Sequence, residues 1–66
     1  MDTDNRGLVT YAVDIYGDDC YITTMEDFSN QESALTRATT IYGGKGFKYK
    51  IFKVVTEREL KGEGTL

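Results

Sequence analysis

Histidine is absent from this 66-residue chain, and cysteine occurs once, as Cys20. Each absence removes a class of chemistry. General acid–base catalysis near neutral pH most often uses imidazole, and Cys20 has no histidine to activate it as a nucleophile. A disulfide within one chain is excluded outright. There is no paired-cysteine motif or calcium-loop pattern to hold a metal. No apolar run approaches the ~20 residues that a membrane span needs. The opening MDTDNRG is acidic and polar, whereas a signal peptide is basic and then apolar. The expectation is a non-enzymatic cytoplasmic protein without cofactor or metal, and a lone cysteine agrees with a reducing compartment.

A chain of 66 residues makes one small domain. A core of that size supplies only ~3–5 kcal/mol net. With disulfide and metal removed, association with itself or a partner is the remaining source of support.

The net charge of −3 conceals a segregation. Residues 1–44 carry eight acidic side chains against Arg6 and Arg37, a balance of −6. Residues 45–56 carry Lys45, Lys48, Lys50 and Lys53 with no acid among them, and the remaining tail returns −1. The whole-chain charge opposes nonspecific nucleic-acid binding, which needs a basic surface. A surface with patches of both signs suits a protein partner that is also bipolar.

Residues 8–16, LVTYAVDIY, alternate as a strand: Val9, Tyr11, Val13 and Ile15 share one face. Gly17-Asp18 is a two-residue hairpin signal, because glycine accepts the positive φ of a tight turn. That loop sets Ile15 opposite Cys20, Val13 opposite Ile22 and Tyr11 opposite Thr24. It buries Cys20 and places Tyr21, Thr23 and Met25 on the opposite face with Tyr16.

Ser29 followed three residues later by Glu32 predicts a capping box. Ala34, Leu35, Ala38, Ile41 and Tyr42 then form one apolar helical stripe. Gly43-Gly44 predicts a left-handed helix stop. GGKG is not a phosphate loop in this position, because such a loop opens a helix and this one closes it. A third strand is predicted from Phe47 to Thr56. The fold class is therefore α+β: a β-β-α-β chain forming a three-stranded antiparallel sheet, order 2-1-3, with one helix on one face. Residues 1–7 and 59–66 are expected to be flexible ends of this single domain.

One helix covers one side of a sheet. With Phe47, Tyr49 and Ile51 toward the helix, Lys48, Lys50 and Phe52 face outward beside Tyr16, Tyr21 and Met25. Aromatic, thioether and basic groups together resemble a recognition surface. Phe52 and Val54 break the expected parity. A β-bulge near Ile51-Phe52 would return them to the core, and without it they join the surface. Lysines on a solvated or edge strand also discourage aggregation without any partner.

From Ser33 to Phe47 the chain reads SALTRATTIYGGKGF. This resembles the small RNA-polymerase inhibitors of T7-like phages, in Ala34, Leu35, Ala38, Tyr42, Gly46 and Phe47 and in element order. The resemblance implies binding to the polymerase β′ jaw and a block of the downstream DNA channel. It implies contacts from basic residues of the last strand and from an acidic patch. Lys53 matches one of those basic positions, and Ile51 stands at the other. The resulting expectation is an inhibitor of a bacterial host protein, RNA polymerase or another nucleic-acid-handling enzyme. Its candidate contacts are Lys48, Lys50, Phe52, Lys53, Tyr16, Tyr21, Met25, Asp18 and Asp19. The alternatives are a single-stranded nucleic-acid module stacking bases on Tyr16, Tyr21 and Phe52, and a homodimer through the open sheet faces.

Overall fold

A computed structural model of the chain describes residues 9–66. The segment 1–7, expected to be flexible, lies outside them. The elements are β1 (Thr10–Tyr16), β2 (Tyr21–Phe28), α1 (Gln31–Tyr42), β3 (Lys48–Val54) and β4 (Arg58–Thr65). They build a small α+β fold with one antiparallel sheet of order β2-β1-β3-β4. The expected 2-1-3 arrangement is present, with a fourth strand added beyond β3. That strand is the segment expected to be a frayed tail.

The β1–β3 ladder is unbroken, with Val13 opposite Ile51 and Ile15 opposite Tyr49. Val13, Ile15 and Ile51 are fully buried together with Ala34 and Ala38 of the helix. The two alanines stand at i and i+4, so the helix meets the sheet through small side chains and approaches it closely. Burying each large aliphatic of this cluster is worth roughly 1.5–3 kcal/mol. Phe47 and Tyr49 pack at its margin, as expected, and Phe47 meets Tyr42 edge-to-face at 5.3 Å. Ile41, expected in the same stripe, is 43% exposed.

The helix begins one residue later than the sequence suggests. Asn30, not Ser29, is the N-cap, and its Oδ1 accepts the Ser33 N–H at 2.8 Å. Glu32 then lies in the first turn, where a negative charge suits the helix dipole. At the other end, Gly43 is extended rather than left-handed, and its N–H donates to the Thr39 carbonyl at 2.8 Å. The left-handed residues follow at Gly44 and Gly46, with φ of 77° and 84°.

Strand β2 departs furthest from its expected register. The connection 17–20 has four residues rather than two, closed by a hydrogen bond from the Gly17 N–H to the Cys20 carbonyl at 2.8 Å. Tyr16 pairs with Tyr21 but Ile15 pairs with Thr23, which leaves Ile22 as an extra residue. A second irregularity separates the Val13–Met25 and Tyr11–Phe28 pairs, and there Asp27 adopts φ 69°. Aspartate tolerates that left-handed conformation better than most residues. Every expected β1–β2 pair falls with the register, and Thr23, now opposite Ile15, moves to the helix side. Met25 lies opposite Val13 and packs on the core, not on the open face. Cys20 is exposed in the hairpin loop, not buried under the helix.

Strand β4 lies at the sheet edge, and its one large apolar residue is Leu60. A Cβ on Gly62 would stand 3.1 Å from the Gln31 amide nitrogen, and one on Gly64 3.2 Å from the Tyr49 ring. Glycine lets those groups lie over the strand. The final residue is tied down as well: Leu66 packs on the core margin, and its N–H donates to the Phe47 carbonyl at 2.8 Å.

Deleting residues 57–66 is expected to cost at least about 3 kcal/mol of stability in urea titrations, because a paired strand and its ion pair are lost. An unchanged midpoint would mean that β4 contributes nothing to the fold.

Candidate functional site

The sheet face away from the helix is uncovered. Its side chains are those of opposite parity to the core: Thr10, Ala12, Asp14 and Tyr16 from β1, and Lys48, Lys50, Phe52 and Val54 from β3. Strand β2 adds Thr24 and Tyr21, and β4 adds Arg58, Leu60 and Glu63.

Asp14 is the organising residue, a carboxylate only 5% exposed in the middle of a central strand. Burying a charge is costly unless donors replace its water. Three donors converge on Asp14. The Thr24 hydroxyl donates to Oδ1 at 2.7 Å, the Tyr16 hydroxyl to Oδ2 at 3.3 Å, and Arg58 Nη2 to Oδ1 at 2.8 Å. The single hydroxyl proton of Thr24 is committed to Asp14, so Tyr21 is the donor in its 2.7 Å contact with Thr24. A chain of polar contacts thus runs from β2 through β1 to β4.

Lys50 is the direct cross-strand neighbour of Asp14, yet it does not form the ion pair. Arg58 reaches in from β4, with its guanidinium 3.9 Å from the Phe52 ring centre. A planar guanidinium can stack on an aromatic face while donating to a carboxylate, which an ammonium cannot do as well. Lys50 instead lies 5.3 Å from the ring centre of Tyr16, and Tyr16 meets Tyr21 edge-to-face at 6.0 Å.

This arrangement settles the parity of Phe52. A register shift does occur at Ile51/Phe52, but it belongs to the β3–β4 ladder: Ile51 pairs with Gly62 and Phe52 with Leu60, so the extra residue is Lys61 of β4. Strand β3 itself stays regular against β1, with Phe52 opposite Ala12. Phe52 therefore remains on the open face, half-buried beneath Arg58.

Of the candidate contact residues, Tyr16, Asp18, Asp19, Lys48 and Lys50 line one depression of about 360 Å³ at the hairpin end of this face, with Cys20 and Glu63 on its rim. Tyr21 and Phe52 share the face. Lys53 does not: it pairs with Tyr11 and has the parity of Ile51, which is the helix side. Met25 belongs to the core margin. Sequence reasoning missed Asp14, Thr24 and Arg58. A charged residue inside an otherwise apolar strand was the available signal for Asp14, whereas Arg58 lay in a segment read as tail. Among the described residues no cluster of metal-ligating side chains occurs, and no helix is long and apolar enough to cross a membrane.

Comparison with protein-family models, with curated proteins and with solved structures finds no match to this chain.

Replacing Arg58 by alanine is expected to cost about 2–3 kcal/mol, since it strips a buried carboxylate of its cation. Replacing Lys61, whose pair with Glu59 is exposed at the edge, should cost less than about 0.5 kcal/mol. A double-mutant cycle between Asp14 and Arg58 should show coupling of about 1–2 kcal/mol. Equal effects of the two single cation deletions in chemical denaturation would refute the central role of Asp14.

Proposed function

We propose that this chain is a small non-enzymatic binding protein of phage type that docks on a bacterial host protein and occludes a charged groove, with RNA polymerase as the first target to test. The observation that carries this reading is the depression at the hairpin end of the open face. There Lys48 and Lys50 stand beside Asp18 and Asp19, and none of the four forms an ion pair among the described residues. Juxtaposed patches of both signs, unmatched among the described residues, favour a partner with the complementary pattern and steer its approach. Tyr16 and Tyr21 add aromatic area of the kind that anchors protein interfaces. The resemblance of residues 33–47 to the phage polymerase inhibitors supports the choice of target.

The open face also contains the aromatic and basic groups of the alternative reading, a single-strand nucleic-acid platform. Two features weigh against it. The Phe52 ring is engaged by Arg58, and the chain as a whole is acidic.

Mixing the chain with purified bacterial RNA polymerase should give a stoichiometric complex and suppress transcription from a linear template. The charge reversal Lys48→Glu should weaken that complex by at least about fivefold while leaving thermal stability nearly unchanged, because Lys48 is exposed and has no acidic cross-strand neighbour. Absence of a complex at micromolar concentrations, with salt-dependent binding to oligonucleotides instead, would reverse the order of the two readings.

A further inference from the structure

The two edges of the sheet are built differently. Strand β4 alternates charge along its length, with Arg58, Glu59, Lys61 and Glu63, and it is bulged at Lys61. Charges and bulges of this kind guard an edge against pairing with another chain. Strand β2 is irregular too, at Ile22 and before Phe28, but between those points Thr23 to Met25 pair regularly. The run Tyr21 to Met25 carries no charge, with Tyr21 and Ile22 55% and 43% exposed. Its charges stand at the ends, Asp18-Asp19 in the hairpin loop and Glu26-Asp27 at the irregularity before Phe28. From Gly7 to Thr36 the sequence contains no lysine or arginine. At the Phe28 end of this strand, on the helix side, a groove of about 610 Å³ runs between Phe28 and the helix residues Glu32, Thr36, Arg37, Thr40 and Ile41.

We infer that the β2 edge is a strand-addition site for an extended segment of a partner protein, one with basic residues flanking a short uncharged β-prone centre. The backbone groups of β2 on the side away from β1 meet no strand among the described residues, and an added strand would satisfy them. A helix-side side chain of that strand next to Phe28 would meet the groove between Phe28 and the helix. The flanking charges choose the occupant. A second copy of β2, in either direction near full overlap, brings acidic pairs against acidic pairs and is repelled. A basic-flanked strand meets attraction at both ends. This site shares Asp18 and Asp19 with the depression on the open face but runs along the strand edge, and it does not require that face to bind anything.

The test uses the full chain labelled for NMR. The probe is a synthetic peptide of about ten residues, matched to the span from Asp18 to Asp27 at strand spacing. It carries two lysines at each end around alternating threonine and valine. A control peptide carries glutamates in place of the lysines. The lysine peptide is expected to bind, to shift the amide signals of β2 and to protect amides of Thr23–Met25 from exchange, while β4 is unaffected. The glutamate peptide should not bind. The variant Asp18→Lys with Glu26→Lys should weaken the lysine peptide by roughly tenfold. No binding at millimolar peptide, shifts confined to β4 or to the open face, or equal binding to the charge-reversed variant would each overturn the proposal.

Discussion

The carboxylate of Asp14 lies under the surface of a sheet that has no second layer to protect it, and that placement constrains much of the fold. A buried anion on an open face needs donors from every side, and the chain provides them from three strands. Thr24 comes from β2, Tyr16 from β1 itself, and Arg58 from β4. The last of these spans 44 residues of sequence. It gives a chain end with only two apolar residues, Leu60 and Leu66, a further reason to join the sheet. Arg58 crosses over Phe52 on its way, so one cation both neutralises Asp14 and covers an aromatic ring that would otherwise face water.

The two faces divide the work. The helix side holds the fold through a small cluster in which Ala34 and Ala38 let the helix settle on Val13, Ile15 and Ile51. The open side is ordered by polar and cation–aromatic contacts, and it presents lysines and acids together at the hairpin end. A face tied down in this way pays little ordering entropy when a partner arrives, which favours recognition by preformed shape and charge. The edges divide as well, with charge alternation guarding β4 and acidic ends framing the uncharged centre of β2.

The elements whose packing follows a simple period were legible in the sequence. Strands β1 and β3 and the helix show core residues at spacings of two and of three to four. Val13, Ile15, Ile51, Ala34 and Ala38 among them are fully buried, whereas Ile41 of the same helical stripe is exposed. Capping was legible to within one residue, because Ser29 and Asn30 are both competent caps and only three-dimensional geometry selects between them. The β2 register was not legible. Gly17-Asp18 carries a two-residue turn signal, but the chain makes a four-residue connection and then inserts residues near Ile22 and Asp27. Each insertion moves side chains between faces, which is why Met25 changed sides. Strand β4 was hidden for another reason. Its glycines serve the Gln31 and Tyr49 side chains above them, and neighbours from elsewhere in the chain leave no periodic trace.

Amide hydrogen exchange of the intact protein most directly tests whether β4 is locked into an ordered four-stranded face. The amides of β4 that point toward β3 should be protected to a degree comparable with those of β3, and Asp14→Asn should lower protection in β4 more than in the helix. Exchange of residues 58–65 at the rate of an unstructured peptide, in the unmodified protein, would contradict it.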